Sequence, residues 1–173
     1  AEYENVLDDH LGKIHFTYVN TWDELLPAHW HEHLEIIYVL GGEITASIND
    51  VSYELKKGDI FLVNSNDIHY TYTHEDARYY LLQIPPVHLE RISAKWKGLK
   101  FQELIRSKSA DACVQGEQLE NVQGKGLVEM RENRKSTNRA DDLYDQLRDV
   151  FRKIAGFYEE KKEGYHLLVL SAV

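Results

Sequence analysis

One cysteine, one methionine and three prolines are spread over 173 residues. A single cysteine, Cys113, excludes an intramolecular disulfide and suits a reducing cytoplasm. No apolar run approaches the roughly 18 residues of a transmembrane span, and no secretory signal opens the chain. No membrane partner is therefore expected. Basic charge is also scarce, with 20 Lys and Arg against 29 Asp and Glu, a formal net charge of −9. Affinity for nucleic acid comes mostly from basic side chains displacing counterions at phosphates, so this chain by itself is poorly equipped to hold DNA or RNA. The basic residues that do cluster (Lys95, Lys97 and Lys100, then Arg131, Arg134, Lys135 and Arg139) lie among acids or in stretches of low hydrophobicity, and read as solvated faces. A hydrophobic content of 43% is ordinary for a globular chain. The length allows one domain with a sizeable core and an appended helical element.

Histidine, by contrast, is abundant. Of nine, five fall between His29 and His74. The surrounding sequence reads as short strands. Lys13 to Val19 alternates His15 and Thr17 against Ile14, Phe16 and Tyr18. Asp23 to Leu26, before Pro27, reads as a turn or helical fragment. From Leu34 to Ile84, strand-like runs at 34–40, 43–48, 51–55, 60–63, 68–73 and 78–84 are separated by turn signals at Gly41-Gly42, Asn49-Asp50, Lys57-Gly58-Asp59 and Asn64 to Asp67. Strands this short and regularly spaced predict a sandwich or barrel. Val87 to Trp96 is a candidate helix. Lys108 to Asn138 is polar and shows no clear period. Asp141 to Lys161 is the clearest helix, with Leu143, Tyr144, Leu147, Val150, Phe151, Ile154, Phe157 and Tyr158 recurring every three or four residues.

The segment His29-Trp-His-Glu-His-Leu-Glu35 carries the chemistry. In an extended chain alternate residues share a face, which would align His29, His31, His33 and Glu35. Imidazole nitrogen and carboxylate oxygen are the usual ligands of zinc, nickel, manganese or iron. His69 is the natural fourth group from a distant strand. The same side chains would also serve a polar pocket that hydrogen-bonds an organic molecule. At about 3.3 Å per residue, His31 and Glu35 would stand roughly 13 Å apart on a straight strand. A bend or bulge is needed to bring both to one ion, and a straight strand would leave His33 beside Glu35 instead.

His29-x-His31-x-x-x-Glu35, with six residues before Gly42, resembles the first cupin motif, and Gly58 followed by His69 resembles the second. The second departs from the pattern: Asn64 stands where proline is usual, Asn66 where glycine is usual, and Thr73 where asparagine is usual. Asn66 can still supply a left-handed turn residue. The longer stretch His29 to Leu40, with Leu55 to Asn64 and Asp67-Ile-His69, resembles the sensor domain of AraC-type transcription regulators. The resemblance is strong over 28–84 and weaker through the helix at 141–161.

That resemblance implies a mainly β fold: a cupin-like antiparallel β-barrel (double-stranded β-helix or jelly roll) followed by C-terminal α-helices. It divides the chain into a barrel with an N-terminal arm over 1–110, a loop-rich connection over 111–140, and a helical dimerisation segment over 141–173. It implies a small effector, often a sugar, bound inside the barrel. The candidate contacts are His31, His33, Glu35, His69, Thr71 and Tyr80, with Ile37 and Val39 as apolar walls. The candidate metal set is His29, His31, Glu35 and His69. It also implies a homodimer through Leu143, Leu147, Val150, Ile154 and Phe157, although the same stripe would serve a helix folded back on its own barrel. DNA would be held only by a further C-terminal domain, absent from this chain, and a second apolar segment from Tyr165 to Val173 suits a cut from a longer protein. The alternative is a stand-alone metal-dependent cupin enzyme, an isomerase or dioxygenase.

Overall fold

The computed structural model describes residues 1–6, 14–106 and 129–160. Among the described residues, ten strands form two five-stranded sheets. The strands are β1 (Glu2–Tyr3), β2 (His15–Thr21), β3 (Glu24–Trp30), β4 (Leu34–Gly41), β5 (Glu43–Ile48), β6 (Val51–Lys56), β7 (Ile60–Val63), β8 (His69–Thr73), β9 (Ala77–Ile84) and β10 (Leu104–Ile105). One sheet runs β1-β3-β8-β5-β6 and the other β10-β7-β4-β9-β2. All pairings are antiparallel except that of β1 on β3. The architecture is the expected cupin-like one, built as two facing sheets.

Each strand's period of two decides which layer a side chain enters. Ile37 and Val39 of β4, Ile44, Ala46 and Ile48 of β5, Leu55 of β6, and Phe61 and Val63 of β7 meet between the sheets. The alternate residues of the second sheet, among them Phe16, Ile36, Leu62, Leu82 and Ile84, face the other way and are buried too. That sheet is covered on both faces, which explains why β4 and β7 read as nearly unbroken apolar runs. The first sheet leaves its outer face to solvent, and its central strand β8 alternates buried with half-buried residues.

The cover is helix α2 (Glu129–Glu160). Tyr144, Phe151, Ile154 and Ala155 are buried against the second sheet, with Leu147, Val150, Phe157 and Tyr158 packed at the margin. Phe151 meets Tyr38 at 5.5 Å between ring centroids, and Phe16 meets Tyr158 at 5.4 Å. The Tyr144 hydroxyl donates to the Gly58 carbonyl at 2.8 Å. Four of the five side chains read as candidate dimer contacts are thus packed, wholly or partly, on the chain's own sheet. Ile154 is fully buried there, while Leu143 is 47% exposed. The helix also begins twelve residues before Asp141, inside the stretch read as loops. Residues 129–140 include Glu, Met, Arg, Lys and Ala, which are good helix formers. They carry no apolar stripe, so a reading based on periodicity misses them.

The turns follow their chemistry. Asn49 and Asp50, at φ 46° and 70°, form the two-residue hairpin between β5 and β6. Gly42 has φ +71°, and a Cβ there would lie 2.5 Å from the Asp76 carbonyl oxygen. Asp23 does take a turn conformation at φ 48°, but the helical fragment expected at 23–26 is strand β3. Pairing with β8 overrides the weak local signal there. The candidate helix at 87–96 is α1 (Pro86–Ile92), followed by a short 3-10 turn at Trp96–Gly98. Cys113 and the segment 161–173 lie outside the described residues.

Asp59 anchors the end of β10. It is buried and receives the Arg106 guanidinium through Nε and Nη2 at 3.1 Å, as well as the Lys56 amide at 2.9 Å. Arg106→Ala would strand a buried carboxylate. We expect a loss of about 1–3 kcal/mol, below the full cost of breaking a buried pair because Arg106 is partly exposed. Urea unfolding of the two proteins side by side measures it.

Candidate functional site

The chain between β3 and β4 does not stay straight. Residues 31–33 form a bend between Trp30, where β3 ends, and Leu34, where β4 begins. The bend carries His31 back over Glu35, and His31 Nε2 lies 3.1 Å from Glu35 Oε2. His33 is turned out of the cluster. It is only half-buried, and its carbonyl oxygen accepts from His31 Nδ1 at 3.1 Å. His31, not His33, is therefore the neighbour of Glu35.

β3 and β8 supply the other two imidazoles, because His29 and His69 are directly opposed in the register. Their ring centroids are 4.1 Å apart, and that of His31 lies 5.0 Å from His69. Each ring turns Nδ1 toward a main-chain carbonyl: His29 to Pro27 at 2.7 Å, His31 to His33 at 3.1 Å, His69 to Asp67 at 3.0 Å. A carbonyl only accepts, so all three Nδ1 atoms must carry the proton. Nε2 is left pointing inward on every ring. The Nε2 atoms of His29 and His69 are buried and have no hydrogen-bond partner. Buried polar atoms are rarely left so, and two in one cluster call for an explanation. One ligand atom from each of the three histidines lies within 4.8 Å of the others, which allows the group to hold a metal ion. Imidazoles oriented through the far nitrogen are what a metal site requires.

Glu35 closes the cluster from β4. It is 3% exposed, with Oε1 3.8 Å from His69 Nε2. Gln83 stands opposite it on β9 and donates to Oε2 at 2.9 Å. Burial pushes the Glu35 carboxyl up, but hydrogen bonding from His31, the charges of His69 and His31, and the Gln83 amide outweigh it and hold the group at about 2. Burial pulls His31 down, yet Glu35 foremost, with the Glu4 charge and the His33 carbonyl, more than offsets it and the net shift is upward. His69 is lowered, chiefly by burial. The arrangement is one ionised carboxylate facing three inward nitrogens, a donor set suited to a divalent cation.

The other expected contacts divide. Thr71 is 4% exposed on the inward face of β8, two residues from His69. Tyr80 is misplaced by one residue. It faces the outer layer, stacking on Phe16 at 5.3 Å and reaching Glu159 of α2. Tyr79 has the inward phase, packs on the inner core and is raised to about 12 by burial and then by the Glu35 charge. Directly paired residues share a face, so the register Glu35–Gln83, Ile37–Leu81, Val39–Tyr79 fixes that phase. Gln83 could have been found by the same pairing. Glu4, from the N-terminal arm, also reaches the cluster and had no signal in the sequence at all.

Comparison with known proteins gives a family. A family model described as the AraC-like ligand binding domain matches residues 12–171. No curated protein matches. Among solved structures, an RmlC-like cupin from Shewanella frigidimarina is similar at 20% identity and a TM-score of 0.40, with 42% of this chain and 66% of that one covered. This chain thus spans just under two thirds of that relative's length. An RmlC-like cupin with a double-stranded β-helix fold from Methanocaldococcus jannaschii is 18% identical, with a TM-score of 0.40, covering 44% of this chain and 75% of that one. KdgF from a Halomonas species is 20% identical, with a TM-score of 0.39, over 44% and 73%.

Proposed function

The chain belongs to the AraC-like ligand-binding domain family, and from that premise we propose that it is the effector-sensing domain of a bacterial transcription regulator. A small polar metabolite, a sugar or something similar, would bind between the sheets against His31, Glu35, His69 and Thr71. The observation that carries this reading is the placement of the site. Glu35 and Gln83 sit on the inner faces of β4 and β9, while Ile36, Leu82 and Ile84 of the same strands belong to the buried cluster that α2 completes. A ligand that binds one arrangement of these strands more tightly than another biases the helix through the same backbone. Dimerisation would use the exposed side of α2, including Leu143. DNA contact belongs to a C-terminal domain outside these 173 residues, and the whole regulator would act in the cytoplasm.

A divalent ion on His29, His31, Glu35 and His69 fits the orphaned Nε2 atoms. Such an ion would polarise an oxygen of the bound molecule. The chain's own residues orient and hold: three carbonyls fix the rings, Gln83 fixes Glu35, and the inner apolar wall of Ile37, Val39 and Phe61 limits water. That donor set favours a second reading, a metal-dependent cupin enzyme of the isomerase or dioxygenase kind.

Elemental analysis tests the metal site that both readings share, and calorimetry separates them. Elemental analysis of the purified chain is expected to show one divalent ion of zinc, nickel, manganese or iron per chain. Titration calorimetry against a panel of saccharides and related polar metabolites is expected to find a ligand that is recovered unchanged. Heat from none of the panel counts against the sensor reading. Conversion of the ligand during the titration supports the enzyme.

A further inference from the structure

Glu4 is the one carboxylate in the cluster that does not come from the two sheets' central strands. β1 pairs in parallel with β3, setting Glu2 beside His29 and Tyr3 beside Trp30. The Glu4 amide then donates to the Trp30 carbonyl at 2.9 Å, and the Tyr3 ring meets the Trp30 ring edge-on at 4.8 Å. These contacts hold the backbone as far as Glu4. The side chain turns inward. Glu4 Oε2 lies 3.7 Å from His29 Nε2, 3.8 Å from His31 Nε2, and 3.4 Å from the Gln83 amide nitrogen.

These distances have a specific meaning. Ligand atoms that share one ion at bond lengths of about 2.1 Å are separated from each other by about 3.0 to 4.2 Å. Glu4 Oε2 falls in that range from two of the three imidazoles, as Glu35 does from His31 at 3.1 Å and His69 at 3.8 Å. Glu4 differs from Glu35 in exposure. Its side chain is 37% accessible, against 5% for Glu35. The same carboxylate lines a cavity of about 460 Å³ shared with Tyr3, Leu26, Pro27, Ala28 and His29.

We infer that Glu4 is an exchangeable fifth ligand of the metal site, and that the effector which replaces it carries a carboxylate of its own. The inference rests on the metal reading of the histidine cluster. Glu35 and Glu4 together balance the two charges of a divalent ion. Exchange of the Glu4 carboxylate for another carboxylate keeps that balance, whereas a neutral molecule in its place leaves one positive charge uncompensated in a buried site. The body of the acid would lie along the arm, in the cavity Glu4 already borders.

The test uses the full chain loaded with cobalt(II), whose visible absorption reports ligand number and type. Wild type, Glu4→Gln and Glu4→Ala are compared, with acetate as the probe. Circular dichroism checks that the variants fold, which a change just after a two-residue edge strand should not prevent. Cobalt is expected to bind all three proteins at one per chain. Both variants should show a changed visible spectrum. Acetate should restore the wild-type spectrum in Glu4→Ala, and should saturate that variant at a concentration at least ten-fold lower than it needs to perturb wild type. Identical spectra in all three proteins, or a changed spectrum that acetate leaves untouched, would overturn the role of Glu4 while leaving the metal site standing. Failure of wild type to bind cobalt would overturn both.

Discussion

Replacing Phe151 with alanine is expected to cost about 3–5 kcal/mol of folding stability, the usual range for removing a buried aromatic ring. Phe151 is 1% exposed. It stands between Tyr38 at 5.5 Å and Phe16 at 6.5 Å, at the centre of the layer where α2 covers the second sheet. Truncation leaves a cavity that two rigid sheet strands and a helix cannot easily close. Against a typical total of about 5–15 kcal/mol, this loss is a large share. The midpoint of urea unfolding should fall accordingly. A loss below about 1 kcal/mol would mean that α2 does not dock on the sheet in solution. Leu143→Ala is the informative partner experiment. That side chain is 47% exposed, so its removal should change stability by no more than about 0.5 kcal/mol. If the helix also meets a second copy of the chain, Leu143→Ala should weaken self-association in sedimentation measurements while leaving folding alone.

The second large effect concerns His69. It is 1% exposed and directs an unpartnered Nε2 at the cluster. Changing an outer partner of a metal ligand typically weakens metal binding about 10- to 100-fold, and removing a ligand outright should do at least as much. The consequence can be read in stability without knowing the effector. At a zinc concentration of 100 times the dissociation constant, the wild-type fold should gain about 2.7 kcal/mol. The same zinc added to His69→Ala, weakened 100-fold, should yield only about 0.4 kcal/mol by the same relation. Thermal melts with and without zinc measure both increments. Equal stabilisation of the two proteins would remove His69 from the ligand set.

Much of this was legible in the sequence, for identifiable reasons. β4 through β9 announce themselves because turn residues bracket them: Asn49-Asp50, Gly58 and Asn66 all adopt the positive φ that their side chains tolerate. Asn66, standing where the cupin pattern has glycine, takes φ 66° and preserves the turn. His29, His31, Glu35 and His69 do converge. What the sequence left open was set by longer-range geometry. The bend at 31–33 depends on contacts outside the segment, including the Asn66 amide donating to the His31 carbonyl at 2.9 Å. The phase of β9 depends on its register with β4, which turns Tyr79 rather than Tyr80 inward. The choice between a helix docked on its own sheet and one reserved for a partner is not encoded in a stripe of apolar residues, since both uses require the same stripe. Glu4 gives no signal because it follows a two-residue edge strand, which is too short to show a period.

The three imidazoles of the cluster are steered by main-chain oxygens of Pro27, His33 and Asp67. A side chain in that role can be deleted by one codon change; a carbonyl cannot. Substituting the residues that own these oxygens would leave the oxygens in place, so an alanine scan of the surroundings would report the orienting shell as dispensable. The vulnerable positions lie instead where the loop path is decided. The register shift between Leu26 and His29 sets the path of the backbone into His29, and Asn66 holds the turn that ties down His31. Lesions that misalign the rings should therefore map to turn residues with no chemistry of their own, and mutagenic surveys that look only for reactive side chains would pass them by.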